Sequence, residues 1–259
     1  MSTAATQLAD PWKICMKLQR TNWTMDGAET PAILEGMRMP VISSTLGPYG
    51  ALLFDMDGTI LTSIAAVERA WSAWARRIGA PIEEVLSYLH GRRAIDTISH
   101  FSPPGTDILS EVRWLDAREQ QDMDGIAELP GAGTFLRALP KHRWAVVTSA
   151  NRHLAIQRMA AAGLPLPQVM ITSNDVSQGK PHPEGYQRAA ATLGINPQRC
   201  LVLEDTRSGV RAGLSAGAEV LHIAGTESVD QSPVKMTVNG YKHLSVDVQP
   251  DFVRIVIAS

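Results

Sequence analysis

Gly50-Ala51-Leu52-Leu53-Phe54-Asp55-Met56-Asp57-Gly58-Thr59 carries the first clear structural signal in this 259-residue chain. A short apolar run passes without interruption into acid. Such a run, bounded by turn residues, is the pattern of a strand buried on both faces of a parallel sheet. The pattern returns at Trp144-Ala145-Val146-Val147-Thr148, Val169-Met170-Ile171-Thr172, Cys200-Leu201-Val202-Leu203 and Val220-Leu221-His222-Ile223. Helix-length segments separate the later strands. One spans 155–162 behind a cap at Asn151, another 183–193 with proline in its first turn and Gly194 after its end, and a third 208–216 before Gly217. Strand alternating with helix requires right-handed crossovers, and so an α/β fold on a parallel sheet.

Residues 64–129 break this rhythm. They hold helical patterns at 65–78, 83–89, 94–100 and 108–120 but no convincing buried strand. In the first of these Val67, Ala70, Trp71, Trp74 and Ile78 share one face. Pro103-Pro104-Gly105 marks a break inside the interval, and Glu128-Leu129-Pro130-Gly131 the return. The expected organisation is a core of 49–63 and 130–259 with a helical insert at 64–129. Phe252-Val253-Arg254-Ile255-Val256-Ile257 has the period-2 and apolar character of a last strand. Residues 1–48 show no strand pattern and read as a disordered or loosely attached extension, with Met37 and Met39 as alternative starts. They lack the apolar block of a secretory signal, and Asp10, Asp26, Glu29 and Glu35 argue against a transit peptide.

Bulk composition narrows the function classes. The chain is 44% hydrophobic and 19% charged, as in an ordinary globular enzyme. A formal net charge of −2 offers no basic excess for nucleic acid or an anionic membrane, so an anionic ligand needs a locally built site. Cys15 and Cys200 are the only cysteines, which fits reduced thiols in a cytoplasmic protein better than a disulfide framework. No apolar run approaches the roughly 20 residues of a membrane span.

Four polar clusters fall at the ends of the expected strands, where open α/β sheets bind ligands. In Asp55-Met56-Asp57-Gly58-Thr59, two carboxylates share a strand end: one can attack phosphorus while the other lends and reclaims a proton, and the Thr59 hydroxyl is offered to a phosphate oxygen. In Thr148-Ser149-Ala150-Asn151, the Ser149 hydroxyl and the main-chain N–H groups opening a helix suit a phosphate dianion. Lys180, between Gly179 and Pro181, is held in a loop and can neutralise both a carboxylate and a phosphate. Glu204-Asp205, buried at a strand end, is costly unless paired or bound to a cation. With Asp55 and Asp57 they form a set of hard oxygen ligands without histidine or cysteine, which selects Mg²⁺ over zinc. Alone, each cluster has an ordinary explanation: an Asp-Gly turn, a helix cap, a surface lysine. All four in this order at strand ends do not.

Phe54-Asp55-Met56-Asp57-Gly58-Thr59, Ser149, Lys180 and Glu204-Asp205 resemble the four motifs of the haloacid dehalogenase superfamily. Gly179-Lys180-Pro181-His182-Pro183-Glu184-Gly185-Tyr186 and Leu203-Glu204-Asp205-Thr206-Arg207-Ser208-Gly209 are similar to its sugar-phosphatase and β-phosphoglucomutase-like branch. The resemblance implies a Rossmann-like parallel sheet flanked by helices, with a small helical cap inserted after the first strand. It implies that Asp55 is the nucleophile and forms an aspartyl phosphate, and that Asp57 is the acid and base. Ser149, Ala150 and Asn151 with Lys180 would hold the phosphoryl group. Mg²⁺ would be bound by Asp55, Asp205 and the main-chain carbonyl of Asp57, with Glu204 as an outer partner.

Within the superfamily, Asp57 argues against a dehalogenase, whose motif lacks it. The absence of lysine from the insert argues against a phosphonatase. The segment from His90 to Ile98, with Gly91, Arg92 and Arg93, looks most like the cap loop of glycerol-phosphatase and 2-deoxyglucose-6-phosphatase relatives, and these three residues are the candidates to reach the substrate. The expected function is phosphatase action on a small sugar or polyol phosphate. A β-phosphoglucomutase-like mutase and a non-catalytic binding protein on the same fold are the alternatives.

Overall fold

The computed structural model describes residues 44–231 and 233–258. The expected extension over 1–48 therefore lies outside the described residues as far as 43, and its last part needs correction. Ser44–Tyr49 (β1) is a strand, paired antiparallel with Val253–Ile257 (β11), which pairs in turn with Leu244–Val248 (β10). Only Leu46 and Tyr49 of β1 are buried, and the register shifts between them across Gly47 and Pro48. A proline is tolerated at an edge or a bulge, so β1 shows no apolar run of its own. Its pairing with β11 makes it a strand.

The central sheet is built from Ala51–Phe54 (β2), Trp144–Val147 (β5), Val169–Ile171 (β6), Cys200–Glu204 (β7), Glu219–Ile223 (β8) and Met236–Val238 (β9), in the order β6-β5-β2-β7-β8-β9 and all parallel. Alternate side chains serve opposite faces. Leu52, Phe54, Val146 and Leu203 pack with Phe135 of Ala132–Ala138 (α5) and Met159 of Arg152–Ala161 (α6). Leu53, Ala145 and Val202 pack with Tyr186 of Glu184–Leu193 (α7) and Val210 of Arg207–Ser215 (α8). Phe54 is fully buried and meets Phe135 and Trp144 edge-on, at ring distances of 6.2 and 6.0 Å. Truncating such a side chain costs about 3–5 kcal/mol. The strand that carries the acidic motif is thereby anchored at its last residue.

Between β2 and α5 lie four helices, Ile64–Ile78 (α1), Ile82–Tyr88 (α2), Ala94–Phe101 (α3) and Ile108–Gln120 (α4). They enclose a separate apolar cluster in which Trp71 and Trp74 of α1 meet Val85, Ile98 and Leu115. Leu61–Thr62 (β3) and Ala127–Glu128 (β4) pair antiparallel, so the chain enters and leaves the insert through one narrow ribbon. Among the described residues no helix is long and apolar enough to cross a membrane.

Candidate active site

β2 has β5 on one side and β7 on the other, so the strand order reverses about it and leaves a crevice beyond its carboxyl end. Asp55 follows β2, Thr148 to Asn151 follow β5, Lys180 lies in the loop after β6, Glu204 ends β7 and Asp205 follows it. The carboxylates of Asp55, Glu204 and Asp205 converge, with one oxygen of each within 4.8 Å of the others.

Lys180 is buried between two of these acids. Its ammonium donates to Asp55 Oδ1 and, at 2.6 Å, to Glu204 Oε1. Burial alone would lower its pKa; the two carboxylates overcome this and keep it charged. Glu204 has no oxygen to spare. Oε1 also accepts from the Tyr186 hydroxyl at 2.9 Å, and Oε2 accepts from the main-chain N–H groups of Asp205 and Thr206 at 2.9 and 3.1 Å. Its geometry is that of a residue holding Lys180 in place. Burial raises the pKa of Asp55 well above the usual carboxylate range; Lys180 opposes this, and the charges of Glu204 and Asp205 add to it.

Asp205 is different. Oδ1 accepts from the Thr59 hydroxyl at 2.8 Å, while Oδ2 is buried without a hydrogen bond. Burial, then the Glu204 carboxylate, pushes its pKa up to about 7. Thr59 itself is fully buried and spends its hydroxyl here, which corrects the expectation that it faces a phosphate. Gly58 has φ +85°, and a Cβ there would overlap the Asp205 carboxylate. The turn after β2 thus closes directly over Asp205 because residue 58 has no side chain.

Asp57 points into a second network. Its Oδ1 accepts from the Ser63 hydroxyl at 2.6 Å and from Arg158 at 3.0 Å. Arg158, on α6, also donates to Glu119 Oε1 of α4 at 3.0 Å. Sequence reasoning missed Arg158, Glu119 and Ser63. The signal for Arg158 was available: it follows Leu154 and Ala155 at helical spacing, on the apolar face of α6.

The insert sits on the core through the loop before α3. Ser149 Oγ donates to the Gly91 carbonyl at 2.9 Å. Gly91 has φ +71°, and a Cβ there would overlap the Ser208 and Thr206 hydroxyls. Arg93 was expected at the substrate, but its guanidinium is spent on Asp96 at 2.8 and 2.7 Å and on the carbonyls of Val176 and Ser177 at 3.2 and 3.0 Å. Arg92 stacks on Tyr88, 4.2 Å from the ring centroid. The Ala150 N–H is taken by Thr148 Oγ1 and the Asn151 side chain caps α6, while the N–H groups of Ser149 and Asn151 make no hydrogen bond among the described residues. A cavity of about 260 Å³ lies between insert and core. Asp55, Asp57, Ser149 and Arg92 line it, together with the acids Asp116 and Glu119 of α4.

The profile of the haloacid dehalogenase-like hydrolases matches residues 49–217. The chain belongs to this family. As a haloacid dehalogenase-like hydrolase it is 41% identical to hexitol phosphatase A of Escherichia coli over 77% of this chain and 94% of that protein. It is 38% identical to glycerol-1-phosphate phosphohydrolase 2 of Saccharomyces cerevisiae over 70% of this chain and 76% of that one. Its fold is similar to that of CbbY from Rhodobacter sphaeroides, at a TM-score of 0.65 and 23% identity over 74% of this chain and 94% of the other. The hydrolase is thus a phosphomonoesterase by kinship, and its parallel α/β core is the family's.

Proposed function

We propose that this hydrolase is a Mg²⁺-dependent phosphatase that acts on a small sugar or polyol phosphate, a hexitol phosphate first among them, through an aspartyl phosphate on Asp55. The reading rests on one observation: a buried Asp55–Lys180 pair beyond the central strand, with the unbonded Oδ2 of Asp205 beside it. Three buried carboxylates face one lysine. Such a deficit calls for a divalent cation of the hard, oxygen-seeking kind. Asp55, Asp205 and the main-chain carbonyl of Asp57 would hold Mg²⁺, which supplies charge neutralisation to the phosphoryl group.

A carboxylate oxygen of Asp55 attacks phosphorus, and the bond to the ester oxygen breaks. Asp57 delivers the proton that this oxygen needs. Asp57 then takes a proton from water, whose oxygen attacks the aspartyl phosphate at phosphorus; inorganic phosphate departs and the Asp55 carboxylate returns. Lys180 holds Asp55 in line and offsets charge on the transferred group. The helical insert acts as a cap that keeps bulk water from the cavity. The cavity also favours a phosphatase over a mutase. A mutase must hold a second phosphate, yet Arg93 is already spent, and the acid Asp116 stands on the wall that Arg92 shares. Hydroxyl groups are the natural partners of such a wall. The proposal includes a cytoplasmic setting, in keeping with the buried free thiol of Cys200.

The test is phosphate release from hexitol, aldose, glycerol and nucleotide monophosphates, with Mg²⁺ or with EDTA, combined with trapping of labelled phosphate on the protein. Release from a polyol or sugar ester and a hydroxylamine-sensitive label on wild type but not Asp55→Asn are expected. Turnover by Asp55→Asn, or no release from any ester, overturns the proposal.

A further inference from the structure

Arg158 is an arginine where the fold has little reason to keep one. Its residue is 4% exposed, it lies on the apolar face of α6, and its Nε is buried without a partner. A buried guanidinium is tolerated only where carboxylates meet it. Burial works against its charge, and Asp57 and Glu119 outweigh burial. These two acids come from different parts of the chain: Asp57 from the motif after β2, and Glu119 from the last turn of α4 in the insert.

We propose that Arg158 is a positioning residue for Asp57, and that Glu119 makes its hold depend on the insert being seated on the core. The inference rests on the reading of Asp57 as the acid and base. Arg158 and Ser63 both bind Oδ1 of Asp57, and Oδ2 receives no hydrogen bond among the described residues. The anchored oxygen fixes the rotamer, and the other is left to carry the proton. A guanidinium has the planar fork to serve two carboxylates at once, which an ammonium lacks. Glu119 holds the far side of that fork, so lifting the insert removes one of the two acids that keep Arg158 aligned. The proton donor is thus well placed only when the insert is down, as it is here through the Ser149–Gly91 and Arg93–Ser177 bonds.

A purely structural ion pair and a positioning role differ in one readout, the dependence on the leaving group. An alkoxide leaves only with a proton, whereas p-nitrophenolate leaves without one. The experiment measures single-turnover phosphoenzyme formation in the full-length protein with glycerol 1-phosphate and with p-nitrophenyl phosphate. Arg158→Met should slow the alkyl ester by about 100-fold, within the range of a lost proton transfer, and the aryl ester by about 3-fold or less. Arg158→Lys, which keeps the charge but can meet only one of the two carboxylates, should recover part of the loss. Glu119→Gln should show the same selectivity on a smaller scale, and Glu119→Gln combined with Arg158→Met should be no slower than Arg158→Met alone. Equal losses on both esters, no loss on either, or multiplying losses in the double variant overturn the inference. Asp57→Asn measured alongside separates two failures. If it is selective for the alkyl ester and the Arg158 variants are not, only the positioning role falls. If Asp57→Asn is itself unselective, the reading of Asp57 falls, and the inference falls with it.

Discussion

Asp205→Asn separates what the chemistry needs from what the fold needs. Asp205 is fully buried, and burial with the Glu204 charge raises its pKa from 3.8 to about 7. At about 1.4 kcal/mol per unit, a shift of roughly 3 units is worth about 4 kcal/mol. The metal-free folded protein holds this proton more tightly than the unfolded chain does. The group's contribution is therefore harmless at pH values below 3.8, turns unfavourable as the pH rises towards 7, and is at its full cost above that. Asparagine carries no charge and still offers Oδ1 to the Thr59 hydroxyl. The variant should recover about 2–4 kcal/mol at pH 8 in EDTA, a rise in Tm of roughly 4–16 °C for a chain of this size. Mg²⁺ should stabilise the wild type by about 2.7 kcal/mol at a hundredfold excess over its Kd, and the variant hardly at all. Thermal melts of both proteins with EDTA and with Mg²⁺ read all four values, and the variant should be inactive. A variant that melts below wild type in EDTA, or that gains as much from Mg²⁺, would refute the assignment of Asp205 as an ion ligand held at a cost in stability.

Asp55→Asn should abolish turnover in a protein that still folds, and normal kcat in the folded variant would contradict the nucleophile. Activity lost in EDTA should return with Mg²⁺ and poorly with Ca²⁺, whose larger, looser shell fits in-line attack less well; equal rates with the two ions count against the coordination proposed. Thr59→Val removes the hydrogen bond that Oδ1 of Asp205 accepts, and should cost about 1–3 kcal/mol in a denaturant melt, where no loss would mean that the Thr59 contact is idle. Arg92→Ala should lower kcat/KM for the polyol phosphate by about 1–3 kcal/mol in transition-state terms and leave p-nitrophenyl phosphate nearly unaffected; equal losses would assign Arg92 to the core chemistry or the fold.

The sheet and the four acidic and basic motifs were legible in the chain because their signals are local. A strand buried on both faces is a continuous apolar run, and the residues after it must sit at the sheet's carboxyl edge, so the strand pattern brought Asp55, Ser149 and Glu204-Asp205 to one crevice, while Lys180, in a loop well past the end of β6, was added by its likeness to the family motif. The helices of the insert were equally plain in their spacing, since a helix repeats its buried face within a single turn. Tertiary structure alone decided the partners. Thr59 turns from phosphate to Asp205, 146 residues away. Arg158 reaches Asp57 across 101 residues and Glu119 across 39. Arg93 is drawn from the substrate to two carbonyls more than 80 residues on. β1, broken by Gly47 and Pro48, becomes a strand only beside β11. A buried polar side chain takes whichever partner the packing brings within about 3 Å, and no local pattern encodes that distance.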